Sequence, residues 1–172
     1  MTDSRVRIRR LTLLALLTAL CIVLRIVKIP IPNVQPVTDI LMIVTLVAGV
    51  NYGLPLAVLT MVLSNVVLGF GIWTIPQIVA YTVCILTVAL VKLLLPLKRW
   101  FWLQLGLCVF LGFEYGMVVS LGMVLVGVTQ GQVFVAYWLS GLLFDGYHAL
   151  GNLAFYPLLK VPLTKALDRY LN

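Results

Sequence analysis

The chain has 172 residues, 63% of them apolar and only 10% charged, with a formal net charge of +7. That balance excludes an ordinary soluble domain. It also excludes a nucleic-acid surface, which needs a solvated basic face with interleaved aromatics.

Six apolar runs fill almost the whole length, and a spanning helix needs roughly 20 apolar residues to cross about 30 Å of hydrocarbon. The expected fold is therefore all-α: a single integral membrane bundle of six transmembrane helices over residues 1–172, with a basic N-terminal tail at 1–8. The first helix is predicted at Arg9–Ile29. Its basic start and apolar body also fit a signal peptide, but Leu20 is a poor residue before a lipoprotein Cys21 and no A-x-A site follows, so the segment is expected to stay as a helix. Within it Ala15 and Ala19, four residues apart, make a shallow groove where a second helix can approach.

Helices two and three, Thr38–Val50 and Gly53–Leu68, are short for spans, with a tight turn expected around Gly49, Gly53 and Pro55. Short segments of this kind pack inside a bundle or line a cavity, because lipid does not tolerate unpaired backbone. Ile75–Leu95, Leu103–Val128 and Val133–Leu159 complete the set. The fifth carries Gly112 and Gly116, whose spacing predicts close packing around Glu114. Cys21, Cys84 and Cys108 sit singly in mid-helix and read as small packing residues.

Charge sets the orientation. Arg5, Arg7, Arg9 and Arg10 precede the first run, Lys92, Lys98 and Arg99 sit between the fourth and fifth, and Lys160, Lys165 and Arg169 follow the sixth; only Arg25 and Lys28 lie opposite. The positive-inside rule then puts both termini in the cytoplasm and the connections after helices one, three and five outside.

Those outer connections hold the polar residues best suited to recognition. The first offers Asn33 and Gln35 among three prolines, with Thr38 or Asp39 available to cap helix two. The third offers Trp73, Thr74 and Gln77 beside Gly69 and Gly71. The fifth offers Thr129, Gln130 and Gln132, followed by Tyr137 and Trp138. In helix six Asp145, His148 and Asn152 share one face. An acid in a bilayer costs on the order of 2.5–3.5 kcal/mol, so this face points into the protein, and an Asp145–His148 pair one turn apart would lessen that cost. The face is read either as an internal polar network or as a substrate contact.

No P-loop, H-E-x-x-H, G-x-S-x-G or metal-spaced Cys/His cluster occurs, and one histidine with one aspartate is too few for a metal site. The chain reads as a binding or conducting subunit that takes its energy from elsewhere.

In size, helix number, cytoplasmic termini and the Ala15-x-x-x-Ala19 motif, the chain resembles the substrate-binding S-components of energy-coupling factor (ECF) vitamin transporters over nearly its whole length. The stretches Asn33–Asp39 and Gly69–Gln77 look most like the cobalamin-specific branch. The resemblance implies a receptor in the bacterial cytoplasmic membrane that takes a vitamin at the outer face. It also implies docking through Ala15 and Ala19 on a transmembrane T-component, and ATP and Mg used by two partner ATPase subunits. It makes Asn33, Gln35, Asp39, Trp73, Thr74, Gln77, Gln130, Tyr137, Trp138, Asp145 and His148 the expected substrate contacts, with no catalytic residue and no metal ligand. A carboxylated vitamin such as biotin is the alternative, with Arg25 or Lys28 as its cation. Beyond this family lie a small oligomeric channel, with Glu114 and Asp145 as pore charges, and a membrane enzyme using Asp145 and His148 as an acid–base pair.

Overall fold

The structure is a computed structural model and describes residues 3–27, 31–129 and 133–171. Among these residues it is all helical: α1 Asp3–Ile26, α2 Val37–Ala48, α3 Val50–Leu68, α4 Thr74–Leu94, α5 Phe101–Leu125 and α6 Phe134–Leu171. Three of them, α3, α4 and α5, are long and apolar enough to cross a membrane, and α2 is a shorter apolar helix.

Two boundaries differ from expectation. Helix α1 starts at Asp3, so the basic segment forms its first turns instead of a separate tail. Helix α6 runs 38 residues to Leu171, well past the end of the apolar stretch, with Pro157 and Pro162 inside it. The Leu-, Lys-, Ala- and Arg-containing segment after Pro162 is a good helix former in its own right, so the helix does not stop where hydropathy falls.

The expected turn between the second and third helices is a single residue. Gly49 has φ +86°, accepts from Tyr52 and Gly53 to begin α3, and donates to the Thr45 carbonyl to end α2. Only glycine enters that backbone region without strain. Gly53 and Pro55 lie inside α3. At the start of α2, the expected cap is absent: neither Thr38 nor Asp39 caps the helix, since both are drawn into the interior.

Helix α2 is the centre of the bundle. Its residues Val37 to Leu46 are all buried, and α1, α3, α4, α5 and α6 pack around it. The most extensive pairing is α5 with α6, made possible by the two glycines singled out in α5. A Cβ placed on Gly112 would lie 2.6 Å from the Ala149 Cα, and one on Gly116 would collide with the Asp145 carboxylate. Cys21, Cys84 and Cys108 are free and buried, as expected of packing residues.

The charges separate along the bundle axis. Arg10 donates to the Asn51 carbonyl at 2.7 Å and lies over the Tyr52 ring. Arg9 reaches the Arg169 carbonyl at 3.0 Å and the Tyr170 ring, and Lys92 the Leu46 carbonyl at 3.0 Å. The start of α1, the α2–α3 break and the tail of α6 thus share one cationic end. Arg25 lies at the other end, and Lys28 falls outside the described residues.

Candidate functional site

At the weakly charged end the helix termini stand higher than Asn33 and Val34, in the segment before α2. Pro76 of α4 packs on Gly122 of α5, which fixes the upper level. Val34 packs on Gly151 of α6, beside Ala149, the residue that meets Gly112. Ten helical residues separate Gly112 from Gly122, so Val34 sits about 15 Å below that upper level. Asn33, with φ 63°, anchors this descending segment by donating from Nδ2 to the Phe144 carbonyl at 3.3 Å.

The start of α2 is consequently sunk into the bundle, and a polar layer lies across it. Thr38 Oγ1 and His148 Nε2 are 2.7 Å apart. The His148 ring meets Tyr115 edge-on at 5.0 Å, and Tyr115 meets Tyr81 at 4.5 Å. Just below, Asn152 donates from Nδ2 to the Cys108 carbonyl at 3.0 Å, and Asp39 is fully buried with the Cys108 thiol as its polar neighbour. The protein leaves several polar atoms of this layer without a hydrogen-bond partner among the described residues: Tyr81 OH, His148 Nδ1, Asn152 Oδ1 and both Asp39 oxygens. Buried polar atoms are rarely left so, and their concentration marks this layer as chemically unfinished.

Above the layer, Trp138 Nε1 donates to Asp145 Oδ2 at 3.0 Å and its ring stacks on Phe134. Asp145 therefore does not form the pair with His148 that their spacing would have allowed. The two side chains share a face, but Trp138 one way and Thr38 the other supply better partners. An acid–base pair built on these two residues is not formed.

The other wall is a network that sequence reasoning saw only in part. Arg25 donates from Nη1 to Ser64 Oγ and to Asn65 Oδ1 (2.8 Å), and from Nη2 to Gln77 Oε1 at 3.1 Å. Asn65 Nδ2 in turn donates to Thr74 Oγ1 at 3.0 Å. Ser64 and Asn65 were missed because they close an apolar run. The available signal was a lone cation, Arg25, at the end of a facing helix. Thr74 is buried, while Trp73 is exposed and folds its ring over Gly71. Gln35 and Tyr137 are half-buried and Gln130 lies outside the described residues. Glu114 accepts from Thr87 Oγ1 at 2.7 Å between α4 and α5, away from the recess.

The family model described as ECF transporter, substrate-specific component, matches residues 9–160. The chain belongs to this family. No curated protein matches it. As an S-component it is a substrate-binding subunit of a membrane transporter and not an enzyme, working with the ECF T-component and ATPase module.

This S-component presents Ala15 and Ala19 on the exposed side of α1, where they line a groove of about 480 Å³ walled by Leu59 and Leu63 of α3. Arg25→Met is expected to lower thermal stability in detergent. It leaves the Ser64, Asn65 and Gln77 acceptors unsatisfied, at about 1–3 kcal/mol for a buried group. A shift near 2 kcal/mol in total corresponds to about 5 °C in the melting midpoint. Arg25→Lys should recover only part, since an ammonium lacks the planar fork. An unchanged midpoint for Arg25→Met would show that the network is not structural.

Proposed function

We propose that this S-component spans the bacterial cytoplasmic membrane six times with both termini inside, captures cobalamin or a related corrinoid in the outer recess, and delivers it inward after docking. The observation that carries this reading is the sunken start of α2, with its unpartnered Tyr81, His148 and Asn152 atoms below and Arg25, Gln77, Trp138 and Asp145 around the rim. A broad recess fringed with amide, hydroxyl and aromatic groups suits a large, amide-rich, flat-faced vitamin. Asn33, Gln35, Trp73, Thr74 and Tyr137 belong to the same end through the connections that bear them, with Asp39 beneath.

Docking is proposed through the Ala15–Ala19 groove onto the T-component, where a helix can lie close because both side chains are methyl groups. ATP and Mg act in two partner ATPase subunits. Release of cargo inward requires a docked state of lower affinity, and the partners supply that difference.

A second reading, a carboxylated vitamin such as biotin, is favoured by Arg25, whose three acceptors are all neutral. Purifying the protein from cells supplied with vitamins, and identifying the compound that copurifies, decides between them. Cobalamin is expected, with its own absorption spectrum. A carboxylated compound lost on Arg25→Gln would replace the corrinoid reading, and absence of any vitamin binding would overturn capture altogether.

A further inference from the structure

We propose that the cationic end of the bundle carries a second, separate site that holds the phosphodiester headgroup of an anionic phospholipid. A cavity of about 250 Å³ lies there between α2, the α4–α5 connection and α6. Its polar lining divides into groups already satisfied and groups free to bind. Gln104 is fully engaged, donating to the Leu97 carbonyl at 2.6 Å and accepting from Tyr156 OH at 2.9 Å. The ammonium groups of Lys98 and Lys160 and the Thr164 hydroxyl have no hydrogen-bond or ion-pair partner among the described residues, and all three face the same cavity. Lys160 is held in place by the Phe101 ring, 4.7 Å from its Nζ.

Three features select the ligand. Two lysines and the carboxylate of Asp168 give the lining a formal charge of +1, which matches a monoanionic phosphodiester better than a free phosphate dianion. Leu46 of α2 forms an apolar wall, which suits a headgroup still attached to glycerol and acyl chains. Trp100 and Trp102, on either side of Phe101, are 61% and 81% exposed. Tryptophans of that kind collect at the headgroup level of a bilayer, so the cavity opens at the depth where lipid phosphates lie. Basic pockets between helices on such a face are suited to headgroups, at about 1 kcal/mol for each cation.

The test is native mass spectrometry of the full chain in detergent, titrated separately with phosphatidylglycerol, uncharged diacylglycerol and inorganic phosphate. Phosphatidylglycerol should be retained, diacylglycerol about tenfold more weakly, and millimolar inorganic phosphate should not displace the lipid. Lys98→Gln with Lys160→Gln should weaken phosphatidylglycerol about thirtyfold, whereas Lys165→Gln, the loss of a charge from the same helix outside the cavity, should leave it unchanged. Lys98→Gln alone, at an exposed position, reads the same effect at smaller size should the double variant fold poorly. Equal weakening by Lys165→Gln would reduce the effect to diffuse attraction and overturn the site. Inorganic phosphate binding as tightly as the lipid would assign the cavity to free phosphate and overturn the lipid.

Discussion

Replacing both Ala15 and Ala19 by tryptophan is expected to abolish uptake while leaving vitamin capture within about twofold of the unaltered protein. The two residues lie on the exposed side of α1 and border the apolar groove shared with α3. A helix laid in that groove would meet two indoles where it now meets two methyl groups. Overpacking a well-fitted contact costs about 1–3 kcal/mol at each position, so the pair weakens docking by tenfold or more. The recess lies elsewhere: its floor belongs to α2, α4, α5 and α6. The measurement is paired, vitamin binding to the isolated chain and uptake by cells carrying the partner subunits. Unimpaired uptake would refute docking through this groove, and loss of binding would mean that the substitutions disturb the fold.

The largest effect on stability is expected from Gly112→Val. Its Cβ would meet the Ala149 Cα and backbone nitrogen at 2.6 and 2.7 Å, and a backbone cannot rotate away as a side chain can. The α5 and α6 axes must then separate, breaking the Asn152 bond to the Cys108 carbonyl and lifting His148 from Tyr115. The loss should reach about 3 kcal/mol or more, seen as a lower melting midpoint and a smaller monodisperse peak on size exclusion. Gly112→Ala should fall between, because alanine regains roughly 1 kcal/mol of helix propensity. An unchanged midpoint for the valine variant would mean that the close approach carries no weight.

These two sites were legible in the sequence for the same reason. Ala15 and Ala19, and Gly112 and Gly116, place small residues one helical turn apart, and that spacing needs no knowledge of the partner. The order of six helices was equally local, since apolar runs and the residues that interrupt them report on it directly. What failed was long-range. Asp145 and His148 were correctly put on one inward face, yet their partners, Trp138 and Thr38, were not foreseen. Thr38 is on another helix, and capping is a local rule that tertiary packing overrides. Ser64 and Asn65 escaped for a related reason. Hydropathy averages over a window, and two polar residues at the end of an apolar run barely lower it, while their role depends on Arg25 facing them. The shortness of α2, 12 residues, was legible, but the depth of the segment before it was not, because that is set by contacts of Asn33 and Val34 with the distant α6.

The burial of α2 bears on how the protein is made. Thr38 finds His148 only at a sequence separation of 110, and at about 5–20 residues per second that stretch takes roughly 5 to 20 seconds to translate. Throughout that interval a helix bearing a threonine and a carboxyl group has left the ribosome without α6, the neighbour it packs against most extensively. Until the last helix arrives, Thr38 lacks its ring partner and α2 is enclosed only by α1, α3, α4 and α5.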